Sequence, residues 1–159
     1  MKIAVFGTRN LQDPKEVITK IVKYLIDNKI DVSEVRSGNA IGTDQLANKF
    51  AKIDKLKVCH FLPWESYNKD LQMSKNNVYY ICKISKKFDK DILKLFPFME
   101  KTKPGMWSLI RRNFQIIMGE NGDDYVDMVF WHTADGELTG GTRYGVMLAR
   151  KLGIKDINI

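Results

Sequence analysis

The chain has 159 residues, which suits one domain with enough length to bury a real core. Hydrophobic residues make up 44% and charged residues 28%, ordinary for a soluble globular protein, and no apolar run approaches the ~20 residues of a membrane span. The net charge of +7 favours anionic partners such as nucleotides, nucleic acid or acidic proteins. Much of that excess lies between Lys69 and Lys103, where a solvated helical face explains the lysines as well as a nucleic-acid groove does.

Lys2 to Phe6 is a compact apolar run ending at Gly7, and reads as a buried first strand. It is too short for a signal peptide's apolar region, which predicts a cytoplasmic protein. Asp13-Pro14 looks like a helix start. Val17, Ile18, Ile21, Val22, Leu25 and Ile26 then recur three and four apart, as one apolar stripe packed on a sheet. Glu34 to Ser37 reads as a second strand, and Leu46, Ala47, Phe50 and Ala51 line one face of a second helix. Lys57 to Leu62, closed by Pro63, reads as a third strand. This alternation implies right-handed crossovers and a parallel sheet.

Residues 65–105 break the rhythm with tyrosines and lysines, and read as an insertion of one or two helices, either a lid over the ligand edge or a partner surface. Met106 to Gly119 then reads as a helix, Tyr125 to Trp131 as a strand, and Thr142 to Leu152 as a helix ended by Gly153. Lys155 to Ile159 supplies an edge strand. The expected fold is therefore α/β: one Rossmann-like, three-layer domain over residues 1–159, its parallel sheet flanked by helices.

Three glycine-containing turns draw attention. Gly7-Thr8-Arg9-Asn10 follows the first strand, and Gly38-Asn39-Ala40-Ile41-Gly42 follows the second, just after Ser37. Gly140-Gly141-Thr142-Arg143 opens the last helix. Glycines let backbone approach a ligand, and the free N–H groups of a helix start suit an anion. Thr43 or Asp44 is expected to cap the second helix. In an open parallel sheet such loops share one edge, where ligands bind.

Arg9 is placed to fork onto a phosphate, and Ser37 to bind phosphate or ribose. Arg111-Arg112-Asn113 sits early on a helix, where neighbouring side chains diverge by about 100°. Arg112 is the arginine expected to face the site, since Leu109 and Phe114 take the inward face on either side. Asp44 and Glu137 are the nearest carboxylates. Cys59 and Cys82 lack metal or redox spacing and read as reduced thiols, at least one of them buried. His60 and His132 are isolated, so neither a metal nor a cofactor is expected.

Gly7-Thr8-Arg9, with Ser37-Gly38-x-Ala40-x-Gly42-x-Asp44-x-x-Ala47, resembles the loops of the SLOG superfamily. These Rossmann-like proteins include DNA-processing protein A and the Lonely Guy phosphoribohydrolases. Trp64, the pair Arg112-Asn113 and the Gly-Gly-Thr loop resemble a small bacterial and phage branch. The resemblance covers about residues 1–66 and 107–159. It implies a nucleotide or nucleotide-derived ligand, with phosphate on Gly140, Gly141 and Thr142. The base or ribose would lie toward Gly7, Thr8 and Arg9 and toward Ser37, Gly38, Asn39, Ala40, Gly42 and Asp44, beside Arg112 and Asn113. Phosphoribohydrolases of the family use a helix arginine, matched by Arg112, and a glutamate, where this chain has Gly145; Asp44 or Glu137 would have to substitute. The expected function is a nucleotide sensor or sequestering protein. The alternatives are an N-glycosidase acting through Arg112 and Asp44, and a single-stranded DNA binder. A homodimer in a bacterial or phage-infected cytoplasm, away from membranes, follows by family analogy.

Overall fold

The computed structural model of the chain describes residues 1–53, 56–68, 70, 76–81 and 86–159. Six strands form one all-parallel sheet: β1 (Lys2–Gly7), β2 (Glu34–Ser37), β3 (Lys57–Leu62), β4 (Asn77–Ile81), β5 (Met128–His132) and β6 (Lys155–Asn158), in the order β4-β3-β2-β1-β5-β6. Helices α1 (Pro14–Asp27), α2 (Ala47–Phe50), α3 (Asp89–Leu95), α4 (Pro104–Met118) and α5 (Thr142–Lys151) cover its two faces. The expected three-layer α/β architecture is present.

The central strand β1 is buried on both faces, which is why Ile3-Ala4-Val5-Phe6 is apolar throughout rather than alternating. Ile3 and Val5 face a core shared with α1 and α2, and Ala4 and Phe6 face one built by α3, α4 and α5. At the start of α1, the Asp13 carboxylate accepts from the Lys15 and Glu16 amides at 3.0 and 2.9 Å. Gly153, at φ 71°, follows the last helix as expected.

Two expectations change. The segment between β3 and α4 holds a strand, β4, as well as the helix α3: Asn77-Val78-Tyr79-Tyr80-Ile81 is β-branched and aromatic, and extends the sheet beside β3. The helix after β2 is only four residues long, preceded by a 3-10 turn at Thr43–Leu46, and no side chain caps either piece. Among the described residues, no helix is long and apolar enough to cross a membrane.

Buried polar groups sit inside this frame. Arg36 is 2% exposed and pairs with Glu34 at 2.6 Å and with Asp124, tying β2 to the loop before β5. Cys59 is buried, and burial pushes its thiol up to about 11, so it is an unreactive thiol at neutral pH; Cys82 lies outside the described residues.

His60 of β3 is fully buried, with Nε2 3.0 Å from the Asn48 side-chain oxygen and its ring stacked on Tyr79. Burial lowers its pKa to about 4, so the folded protein holds it neutral. Below the ordinary histidine pKa of about 6.5 the unfolded chain takes up a proton that the folded chain refuses. The His60 contribution to stability is therefore constant above that point and is lost toward pH 4, by up to about 1.4 kcal/mol per pH unit. Denaturant titrations across this window should show the fall, and His60→Phe should remove about one proton from its slope. An unchanged slope would contradict the assignment.

Candidate functional site

Chain order and strand order part company once in the middle of the sheet: β1 leads leftward to β2, β3 and β4, while β5 returns to β1's other side. The loops after β1 and β5 therefore diverge and leave a crevice at the strands' carboxyl ends, where open α/β sheets bind ligands. A cleft of about 520 Å³ occupies that place. Gly7, Thr8 and Arg9 line it from β1, Ala40 and Asp44 from the turn after β2, and Arg112 and Asn113 from α4. Gly140, Gly141 and Thr142 line it from the start of α5. All three glycine-containing turns thus meet at one rim.

The turn after β2 does not work as expected. Its amides point at an anion, but that anion belongs to the chain. The Gly7 amide donates to Asp44 Oδ1 at 3.2 Å, while the Gly38 and Ala40 amides donate to Oδ2 at 3.2 and 3.4 Å. Asp44 is a clasp between loops and caps no helix. The Thr43 amide is spent on the Thr8 carbonyl at 3.0 Å, and Gln45 N–H on the Gly42 carbonyl at 3.1 Å.

Ser37 is fully buried, its hydroxyl between the carbonyl oxygens of Val5 (2.8 Å) and Asp44 (2.9 Å), so it braces the turn instead of meeting ligand. Asn39, at φ 55°, is buried and accepts at its carbonyl from Asn68 at 2.7 Å. Gly42 packs against the backbone of Thr8 and Arg9. None of Ser37, Gly38, Asn39 and Gly42 is part of the cleft wall.

Of the arginine pair, Arg112 faces the cleft and Arg111 does not. Arg111 forks onto Asp89 at 2.8 and 2.7 Å and lies over the Trp107 ring, joining α4 to α3. Arg112 is 8% exposed and makes no ion pair among the described residues. Its Nε and Nη2 donate to Asn113 Oδ1 at 3.3 and 3.0 Å, and Nη1 reaches the Gly38 carbonyl (3.3 Å) and the Tyr67 hydroxyl (3.4 Å). With that forked edge taken, Arg112 offers its positive field and one N–H rather than a bidentate clamp. Asn113 Nδ2 donates to the Gly141 carbonyl at 3.1 Å, so one residue joins Arg112 to the glycine loop.

Gly38 separates the two buried charges: a Cβ there would stand 2.7 Å from Arg112 Cζ and 2.8 Å from Asp44 Oδ2. Burial pushes the Asp44 carboxyl above the ordinary aspartate range, against the pull of the Arg112 charge and the three amides.

The Gly140–Thr142 turn is different in kind. Gly140 takes φ 55°, and a Cβ on Gly140 or Gly141 would meet nothing. At the start of α5, a ten-residue helix, the Tyr144 amide bonds the Gly141 carbonyl at 3.3 Å, and the Thr142 and Arg143 amides before it stand at the positive end of the helix dipole. Arg9 is exposed at the same rim and makes no ion pair among the described residues. Phe6, Leu109, Ile110 and Tyr144 add apolar surface to the same cleft.

Sequence reasoning missed Thr133 and Asp135, which enter the cleft directly after β5 and were legible as the residues that follow a strand end. Glu137, favoured instead, is exposed and lies outside the wall. Gly145 packs on the Phe6 ring, and a Cβ there would lie 2.7 Å from the ring's Cζ, so no carboxylate fits at that position. No group of three or more potential metal ligands exists among the described residues. Comparison with protein families, curated proteins and solved structures returned no match.

Proposed function

We propose that the protein binds a nucleotide or nucleotide-derived ligand in this cleft, as a sensor or sequestering protein. The observation that carries the reading is the open Gly140–Thr142 turn at the start of α5, set in a switch-point cleft that pairs helix-start amides and Arg9 with apolar surface. Phosphate belongs on the α5 amides, flanked by Arg9. A planar base belongs against Phe6, Leu109 and Tyr144. The expected result is heat protection by a nucleoside monophosphate or a compound of ADP-ribose type. Arg9→Ala and Thr142→Ala should each weaken that protection by about tenfold in ligand concentration, the scale of one charge-assisted hydrogen bond. Unchanged shifts in both variants would sink the assignment.

A second reading, an N-glycosidase acting on nucleoside monophosphates, is favoured by one observation: Asp44, its carboxyl shifted toward holding a proton, and Arg112 share the cleft wall. It requires release of free base from a nucleoside monophosphate panel. Binding without release would leave the sensor reading alone.

A further inference from the structure

The amides of Gly7, Gly38 and Ala40 sit 3.2–3.4 Å from the Asp44 carboxylate, longer than the roughly 2.7–2.9 Å usual for charge-assisted hydrogen bonds. Asp44 is 2% exposed, and Arg112 is the buried cation nearest to it. Any phosphate seated at the start of α5 enters the same cleft, lined by both groups. Two anions then line one cleft beside a single buried cation, and the Asp44 carboxylate is the one of the two enclosed by protein.

We propose that Asp44 sets the charge the cleft accepts: a dianionic phosphate or sulfate group enters together with one proton, which Asp44 takes up while keeping its hold on the loops. This rests on the phosphate-site reading above and adds its regulation. Arg112 from α4 is the charged group acting on Asp44; Arg9 from the β1 loop, Asp135 from the β5 loop and Tyr144 from α5 line the same cleft, and Tyr67 lies behind Arg112. Asp135 is open to solvent, whereas Asp44 is enclosed. The proton thus goes to the enclosed carboxylate. Asp44→Asn keeps the size and removes the charge, at the cost of one acceptor, because its NH2 cannot accept from the loop amides.

Sulfate is the probe, because its own charge stays constant from neutral to mildly acidic pH. Titration calorimetry on the intact protein in buffers of different ionisation enthalpy should register uptake approaching one proton per sulfate. Affinity should rise by up to about tenfold per pH unit on acidification. Asp44→Asn should bind more tightly at neutral pH, with no uptake and a flat profile. Zero uptake by the wild-type protein, measurable even if the variant fails to fold, overturns the proposal, as does an unchanged profile in Asp44→Asn. Amide shifts recorded alongside keep the two readings apart. Sulfate shifting Gly140–Thr142 without proton uptake refutes only this inference, whereas sulfate bound elsewhere, or nowhere, refutes the cleft assignment and this inference with it.

Discussion

Replacing Asp44 by alanine should lower the stability of the protein by about 3–5 kcal/mol. Three backbone amides from two loops, Gly7, Gly38 and Ala40, lose their acceptor together, and each buried unsatisfied donor costs about 1–3 kcal/mol. Arg112, 8% exposed and without an ion pair among the described residues, also loses the nearest negative charge. Opposing this is the relief of desolvating Asp44 itself, the effect that pushes its carboxyl above the ordinary range. Three amides and one orphaned guanidinium outweigh that relief. For a domain of this size each kcal/mol moves Tm by roughly 2–4 °C, so a melting curve resolves the effect. A loss below about 1 kcal/mol would show that the loops hold each other without the clasp.

Gly42→Ala should be nearly as damaging, at about 3 kcal/mol or more. Gly42 has φ 94° and ψ −129°, outside the regions open to residues with a side chain. A Cβ there would lie 2.2 Å from the Thr8 carbonyl oxygen, a backbone atom that also accepts from the Thr43 amide. The β1 loop would have to retreat, breaking the contact that sets Thr8 and Arg9 at the rim. Gly140→Ala is the natural control. Gly140 has φ 55° and open space around it, so alanine there costs only about 1 kcal/mol of backbone strain. Equal losses from the two substitutions, read from denaturant midpoints, would contradict the geometry.

The scaffold was legible where apolar pattern and punctuation agreed. Ile3 to Phe6 is apolar without alternation because β1 is central, and Val17, Ile21 and Leu25 recur at helical spacing above it. Strand β4 was less legible because it is an edge strand with side chains intermediate or exposed, and its short run Val78 to Ile81 is half tyrosine, a composition that a helix packed at the surface also carries.

In the site, the meeting of three turns at one rim followed from a parallel sheet alone. Which turn stays open did not. Gly38 and Ala40 could hold an outside phosphate or the carboxylate a few residues further on, and only the folded path of Thr43–Leu46 decides for Asp44. Likewise, the direction of Arg112 follows from helix periodicity, but the capture of its forked edge by Asn113 depends on side-chain torsions that spacing does not encode.

The most direct measurement is a titration of the isotopically labelled protein with adenosine 5′-monophosphate, following backbone amides. Saturable shifts are expected at Gly140, Gly141 and Thr142 and at Thr8 and Arg9, with smaller changes at Gly38 and Ala40, whose amides stay on Asp44. Shifts confined to Gly38 and Ala40, or to residues away from the cleft, would contradict a phosphate seat at the start of α5.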